Sequence, residues 1–315
     1  MSVAGMNSEK YKPVYTMMAE RPDDNKLRGI LLLDEPMNKH TSWRAGGTAD
    51  RYYIPADLDD LLMFLQRQEE DEEILWLGLG SNLLIRDGGL RGTVVSVTGV
   101  LDELLLKDHD TVKAGTGVTC AKLARFAANS GLTGIEFLAG IPGTVGGALT
   151  MNAGAFGGET WDFVSTVETV SRSGEIKTSS GKQFDPGYRT VNIPDGEWFI
   201  SAEFKLFPDP ENKALEIIRE LLARRAQTQP MGESSCGSVF RNPDGDYAAR
   251  LIDSCGLKGS RSGKARVSEK HANFIINDDG ASATDIEGLI NHIQKVVNDK
   301  TGIRLETEVR IIGER

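Results

Sequence analysis

The chain has 315 residues, 35 of them glycine, and a formal charge of −10 with a pI near 5.1. That length suits two or three subdomains with room for a buried cleft, and the acidic balance excludes a general nucleic-acid binder, which needs a basic face. No apolar run is long enough to span a membrane, and the polar opening lacks the apolar centre of a signal peptide, so the chain reads as soluble and cytoplasmic.

The stretch to Asn38 is weakly periodic and reads as an N-terminal arm, residues 1–38, with a short strand in LRGILLLDEP. Asp50 to Pro55 has strand character, and DLDDLLMFLQRQ has the cap and apolar spacing of a helix starting near Asp57. EILWLGLGSNLLIRDGGLRGTVVSV reads as strand, glycine turn, short apolar segment, turn and strand. TVKAGTGVTCAKLARFAANSG gives a strand, a turn and a helix from Cys120 to Asn129 closed by Gly131. Val164 to Ser171 and Glu175 to Thr178 flank a hairpin turn, and WFISAEFKLFP is a further strand. NKALEIIRELLARRAQTQ is strongly helical and ends at Pro230. RLIDSCGLKG, a strand HANFIIN, a helix TDIEGLINHIQKVVNDKTG and a last strand LETEVRIIG complete an α+β pattern.

Nine of the glycines fall between Gly131 and Gly158, a stretch whose one charged side chain is Glu136. Glycine in apolar company lets backbone lie close to something flat or anionic, which points to a cofactor cradle rather than a linker. Upstream, Gly78-Leu79-Gly80-Ser81-Asn82-Leu83 follows the apolar strand ILWL, where exposed N–H groups and two side-chain donors can hold a diphosphate without a cation. Leu83 stands where the dinucleotide fingerprint needs its third glycine, so by itself the motif is equally a plain β-turn. Gly237-Ser238 lacks a nearby histidine and the hydrolase elbow, leaving Ser238 as a proton donor, a ligand contact or a turn residue. Tyr188-Arg189 and Glu308-Val309-Arg310 carry no signal from spacing alone. Lys258, Arg261, Lys264, Arg266 and Lys270 form a basic island suited to a small polyanion. Cys120, Cys236 and Cys255 show no C-x-x-C spacing and the four histidines are scattered, so no disulfide framework and no metal site is expected.

Taken as a set, HTSWRAGGTAD from His40, LGLGSNLLIRDGGLRG from Leu77, GIEFLAGIPGTVGGALTMNAGAFGGE from Gly134, GYR at Gly187, CGSVFRNP from Cys236, AARLIDSCGLKG from Ala248, SEKHANFIIN from Ser268 and EVRIIG from Glu308 resemble the UDP-N-acetylenolpyruvoylglucosamine reductase (MurB) family. The resemblance implies an FAD-binding domain of vanillyl-alcohol-oxidase (PCMH) type in two subdomains, residues 39–210. A smaller α+β substrate-binding domain, residues 211–315, would follow, its last strand returning to the active site. It implies NADPH as hydride donor, UDP-N-acetylglucosamine enolpyruvate as the small-molecule substrate, and a monomer or weak oligomer without nucleic-acid or membrane partners.

Carried over by motif, Gly78, Gly80, Ser81, Asn82 and Leu83, with Gly140, Ile141, Pro142, Gly143, Thr144, Gly146, Gly147, Ala148, Asn152, Ala153, Gly154 and Ala155, would hold FAD. Arg189 would be the cation facing charge that develops at C2 of the enolpyruvyl group, Ser238 the proton donor to C2, and Glu308 a carboxyl at the substrate carboxylate. Tyr188, Arg241, Asn242 and His271 would bind substrate. Arg241 stands where many members have lysine, and Val191 replaces a frequent serine. About fifty residues separate Tyr188 from Ser238, too few for the closing insertion of the longer type I members, so the chain resembles type II. Two other readings use the same features: a flavin oxidase or dehydrogenase on another substrate, and a non-catalytic UDP-sugar-binding protein.

Overall fold

The computed structural model describes residues 27–315. The first unit is a four-stranded sheet in the order Ile30–Pro36, Thr48–Ile54, Leu90–Ser96, Ile74–Leu77; the first pair is antiparallel and the others are parallel. Helix α1, Leu58–Leu65, begins where the Asp57 carboxylate accepts the Asp60 N–H, and it buries Leu61, Phe64 and Leu65 beside Tyr53 and Val95. Leu27 packs on that core and Ile30–Pro36 is a sheet edge, so the stretch from 27 to 38 is built into the sheet where the sequence suggested an arm. The remainder of that expected arm lies outside the described residues.

The second unit is a five-stranded antiparallel sheet in the order Ile176–Ser180, Val164–Ser171, Glu197–Lys205, Thr111–Gly115, Leu104–Asp108. Helices α2, Cys120–Asn129, and α3, Val145–Met151, pack on it through small and branched side chains: Leu123, Ala124, Ala127, Ala148 and Leu149 meet Val112, Ala202 and Phe204. Each is capped by a threonine, Thr119 accepting from Lys122 N and Thr144 from Gly147 N. Helix α4, Ala214–Thr228, buries Ala214 and Ile218 in this same core. The boundary expected at 211 thus falls ahead of a helix that packs with the first half of the chain, because its apolar stripe faces α2 and the turn Glu136–Gly140.

The third unit holds α5, Ala248–Ser254, and α6, Ala283–Thr301, over a small sheet of Arg261–Ser262, Ala265–Val267 and Ile275–Asn277. Ser282 and Asp285 form a capping box at the start of α6, and Gly302 closes it at φ 74°. The strands expected over HANFIIN and LETEVRIIG shrink to Ile275–Asn277 and Arg310–Ile312. The apolar core of this unit also takes in Trp43, Ala45 and Leu84 from the N-terminal half. Trp43 Nε1 donates to Ile275 O at 2.8 Å and Asn277 Nδ2 to Trp43 O at 2.6 Å, so the HTSW segment is stitched to the C-terminal sheet. Arg310–Ile312 runs parallel to Leu83–Ile85 in register Arg310 with Leu83, which brings the end of the chain back to the Gly78–Leu83 turn.

Candidate active site

A cleft of ≈ 580 Å³ runs between the three units. Its floor is the Gly78–Leu83 turn and the Gly140–Ala155 cradle, which meet directly: a Cβ on Gly78 would stand 2.5 Å from Thr144 Oγ1. Gly80, at φ +59°, is required by the fold, since a Cβ there would lie 2.1 Å from His40 O. Gly143 and Gly147 differ. A Cβ on either would meet no protein atom closer than 3.6 Å and 3.9 Å, although both line the cleft. Packing does not demand glycine there, and its absence of a Cβ leaves room for a ligand to approach the backbone closely.

Polar atoms in the cleft wall point the same way. The Thr116 hydroxyl, buried to 1 % exposure, and Trp76 Nε1 both lie in the lining and have no hydrogen-bond partner among the described residues. Open glycine backbone, unpaired donors and a long cleft lined by Ile141, Ile193 and Phe199 fit an extended ligand with a planar ring and a diphosphate, which is the chemistry of FAD.

The cleft lining brings together three residues far apart in sequence, Arg189, Ser238 and Glu308: Arg189 pairs with Glu308, whose backbone N–H donates to Val239 O, next to Ser238. Arg189 sits at the tip of a tight loop closed by Gly187 N to Thr190 O at 3.0 Å, and its φ of +58° is a conformation non-glycine residues seldom hold. Its guanidinium is fixed on three sides: Nε donates to Glu308 Oε1 at 3.1 Å, Nη1 to Asn152 O at 3.3 Å and Nη2 to Gly154 O at 2.9 Å. Of its five N–H donors, two therefore remain for a ligand. Glu308 is held by its own backbone, its carbonyl accepting from Asn82 Nδ2 at 3.0 Å. Burial pushes its carboxyl pKa above the ordinary value against the opposing pull of Arg189 and Arg241. Ser238, half-buried after Gly237 at φ +72°, makes no hydrogen bond among the described residues and lines the cleft.

Tyr188 and Asn242 also line the cleft, Tyr188 with its ring 5.0 Å from the Arg189 guanidinium. Asn152, Arg241 and His271 do not. Asn152 is buried at φ +43° with its amide spent on Glu159, Gly187 O and Trp161 N, so it braces the Arg189 loop. Arg241 reaches Arg189 O at 3.4 Å and leaves a buried Nε unpaired. His271 packs edge-on to Phe274, and burial lowers its pKa. The basic island is largely neutralised: Lys258 pairs with Asp253, Arg261 with Asp278, and Arg266 with Glu233 and Asp278, whereas Lys270 caps Ala226 O. Sequence reasoning passed over Arg225, Gln229, Asn273 and Arg310, all in the lining. Arg225 is a half-buried cation whose Nε donates to Gln229 Oε1 at 2.8 Å, one helical turn on. The i, i+4 spacing of these two was visible in the helix, but nothing local says that this face looks into a cleft.

Among the described residues no helix is long and apolar enough to cross a membrane, and no three potential metal-ligating side chains cluster. The glycine-lined cleft suits FAD, residues 49–180 match the FAD binding domain family, and together they define an FAD-dependent oxidoreductase. Residues 229–312 match the family described as UDP-N-acetylenolpyruvoylglucosamine reductase, C-terminal domain. The reductase of that name from Legionella pneumophila (strain Corby) is 51% identical over 315 residues, covering 100% of this chain and 98% of its own length. That from Alkalilimnicola ehrlichii is 55% identical over 280 residues, covering 89% of this chain and 94% of its own. The crystal structure of the Thermus caldophilus MurB superposes with a TM-score of 0.78 at 32% identity, over 90% of this chain and 98% of that one. The chain belongs to the UDP-N-acetylenolpyruvoylglucosamine reductase (MurB) family.

Proposed function

We propose that the cleft reduces the enolpyruvyl double bond of UDP-N-acetylglucosamine enolpyruvate, with NADPH as reductant, to give UDP-N-acetylmuramate for peptidoglycan synthesis. The observation that carries the residue roles is the convergence of Arg189, Glu308 and Ser238 beside the glycine cradle. The Gly78–Leu83 turn and the cradle would hold FAD, which would supply the hydride-transfer chemistry that no side chain can provide.

Hydride arrival at C3 turns the terminal CH2 into a methyl group and leaves an electron pair at C2, spread into the adjoining carboxylate. The two free N–H donors of Arg189 face that charge, and because the cradle carbonyls and Glu308 already fix the guanidinium, little reorganisation accompanies the charge as it forms. Burial raises the Glu308 carboxyl pKa and so favours its protonated form, which donates a hydrogen bond to the carboxylate where an ionised carboxyl would repel it. The Ser238 hydroxyl, with no competing partner among the described residues, delivers its proton to C2 and recovers one from solvent. Tyr188, Arg225 and Asn242 hold the nucleotide end.

This reading assigns residues 39–210, with α4 packed on them, to FAD, and the remainder with the returning last strand to the substrate. The protein is a cytoplasmic monomer or weak oligomer. Anaerobic stopped-flow tests the assignment: flavin absorbance is bleached by NADPH and recovers on addition of the enolpyruvyl sugar. Bleaching without recovery would remove this substrate and keep the flavin site.

A further inference from the structure

The FAD diphosphate carries negative charge, yet the surfaces that would hold it are uncharged. Ile74 to Leu83 contains no cation, and Gly140 to Ala155 contains no charged residue. Backbone N–H groups and the Ser81 hydroxyl can hydrogen-bond phosphate oxygens but supply no full opposite charge.

Among the described residues three cations line the cleft: Arg189, Arg225 and Arg310. Arg189 is committed to Glu308 and two cradle carbonyls, and Arg225 lies on α4 beside Gly140 with its Nε on Gln229. Arg310 is different. Its backbone N–H donates to Asn82 O at 3.0 Å and it pairs in register with Leu83, so it is anchored to the end of the phosphate turn. Val309 is buried at 3 % exposure on the opposite side of the extended chain, which leaves Glu308 and Arg310 on the cleft side. The Arg310 guanidinium is exposed and has no side-chain hydrogen bond or ion pair among the described residues. Other arginines near the same junction are taken, Arg86 by Glu287 and Arg91 by Asp50 and Glu314.

We propose that Arg310 is the counter-cation of the FAD diphosphate, reaching from the returning last strand across the Gly78–Asn82 turn, so that the C-terminal segment secures the cofactor as well as supplying Glu308. The proposal rests on the assignment of that turn to FAD. A planar fork suits two phosphate oxygens at once, which a lysine would meet as a point charge.

The test uses purified holoenzyme and follows release of FAD by the rise of free-flavin fluorescence after dilution, across a range of salt concentrations. Arg310→Gln, close in size and on an exposed site, is expected to release FAD about 10- to 100-fold faster, the range of one charge-assisted hydrogen-bond pair. Release from the wild type accelerates with salt, and the variant loses most of that dependence. Arg310→Lys recovers part of the retention, and the visible spectrum of flavin still bound is unchanged in both variants. Unchanged release in Arg310→Gln would overturn the assignment, as would a shifted spectrum with intact salt dependence, which would put the side chain against the ring. A wild-type protein that binds no flavin at all would instead overturn the reading of the cleft.

Discussion

Arg189 and Glu308 face one another at 3.1 Å, yet burial keeps the carboxyl pKa of Glu308 raised. A carboxyl whose folded pKa lies above its unfolded one favours folding at low pH, and the advantage is lost as pH rises through the folded value. Measured by denaturant melts, wild type is expected to lose stability relative to Glu308→Gln as pH climbs from about 4 past that folded value. Turnover of the wild type should decline over the same upper range, and this limb should be absent from the residual activity of the glutamine variant. An identical pH dependence of stability in both proteins would show that folding leaves the Glu308 pKa unshifted.

On the proposed reading Ser238 acts in the second half of the reaction. In Ser238→Ala, reduction of the flavin by NADPH should keep its wild-type rate while reoxidation by the enolpyruvyl sugar slows by about 10²- to 10⁴-fold, the usual contribution of a placed acid. Stopped-flow absorbance separates the two phases, and equal slowing of both would assign the residue to binding instead.

The glycines divide into two kinds. Gly147→Val meets open cleft, its Cβ no closer than 3.9 Å to protein, and should yield a folded protein with FAD affinity lowered at least ~10-fold, because the ligand must give way. Gly80→Ala, at φ +59° and against His40 O, should lower stability by about 1–2 kcal/mol or more before cofactor is considered. Flavin content and melting temperature of the two variants distinguish these outcomes.

Burial pushes the Cys120 and Cys236 thiols up to about 12, so almost no thiolate is present at neutral pH. Cys236 also leans on Leu83 O at 3.5 Å, behind the Gly78–Leu83 turn. An aromatic disulfide reagent should therefore react with these two only as fast as the protein opens, and promptly in denaturant. Fast labelling of native protein would contradict the packing of that turn.

The glycine surfaces and the strongly periodic helices were legible in the sequence because each expresses a local rule, steric freedom or a repeating apolar face. Arg189, Ser238 and Glu308 were not legible by spacing and entered through the family motifs, since only the fold brings them together. Arg225 and Arg310 escaped both routes: each is an ordinary surface charge until the cleft beside it is known. The basic island misled for the opposite reason. Its partners Asp253, Asp278 and Glu233 approach through turns and strand pairing, so charges clustered in sequence are neutralised in space. The short strands at Ile275–Asn277 and Arg310–Ile312 fell below expectation because flanking residues bond to loops, as Arg241 N does to Glu306 O.

The hydrogen bond from Asn82 Nδ2 to Glu308 O spans 226 residues. A ribosome making this chain therefore completes the glycine turn long before the carbonyl that Asn82 must meet has been polymerised. Until then the nascent protein has the Gly78–Leu83 turn without the Glu308 segment that closes over Asn82. Closure of this contact thus waits on the strand Arg310–Ile312, which makes fragments lacking that strand poor candidates for complementation.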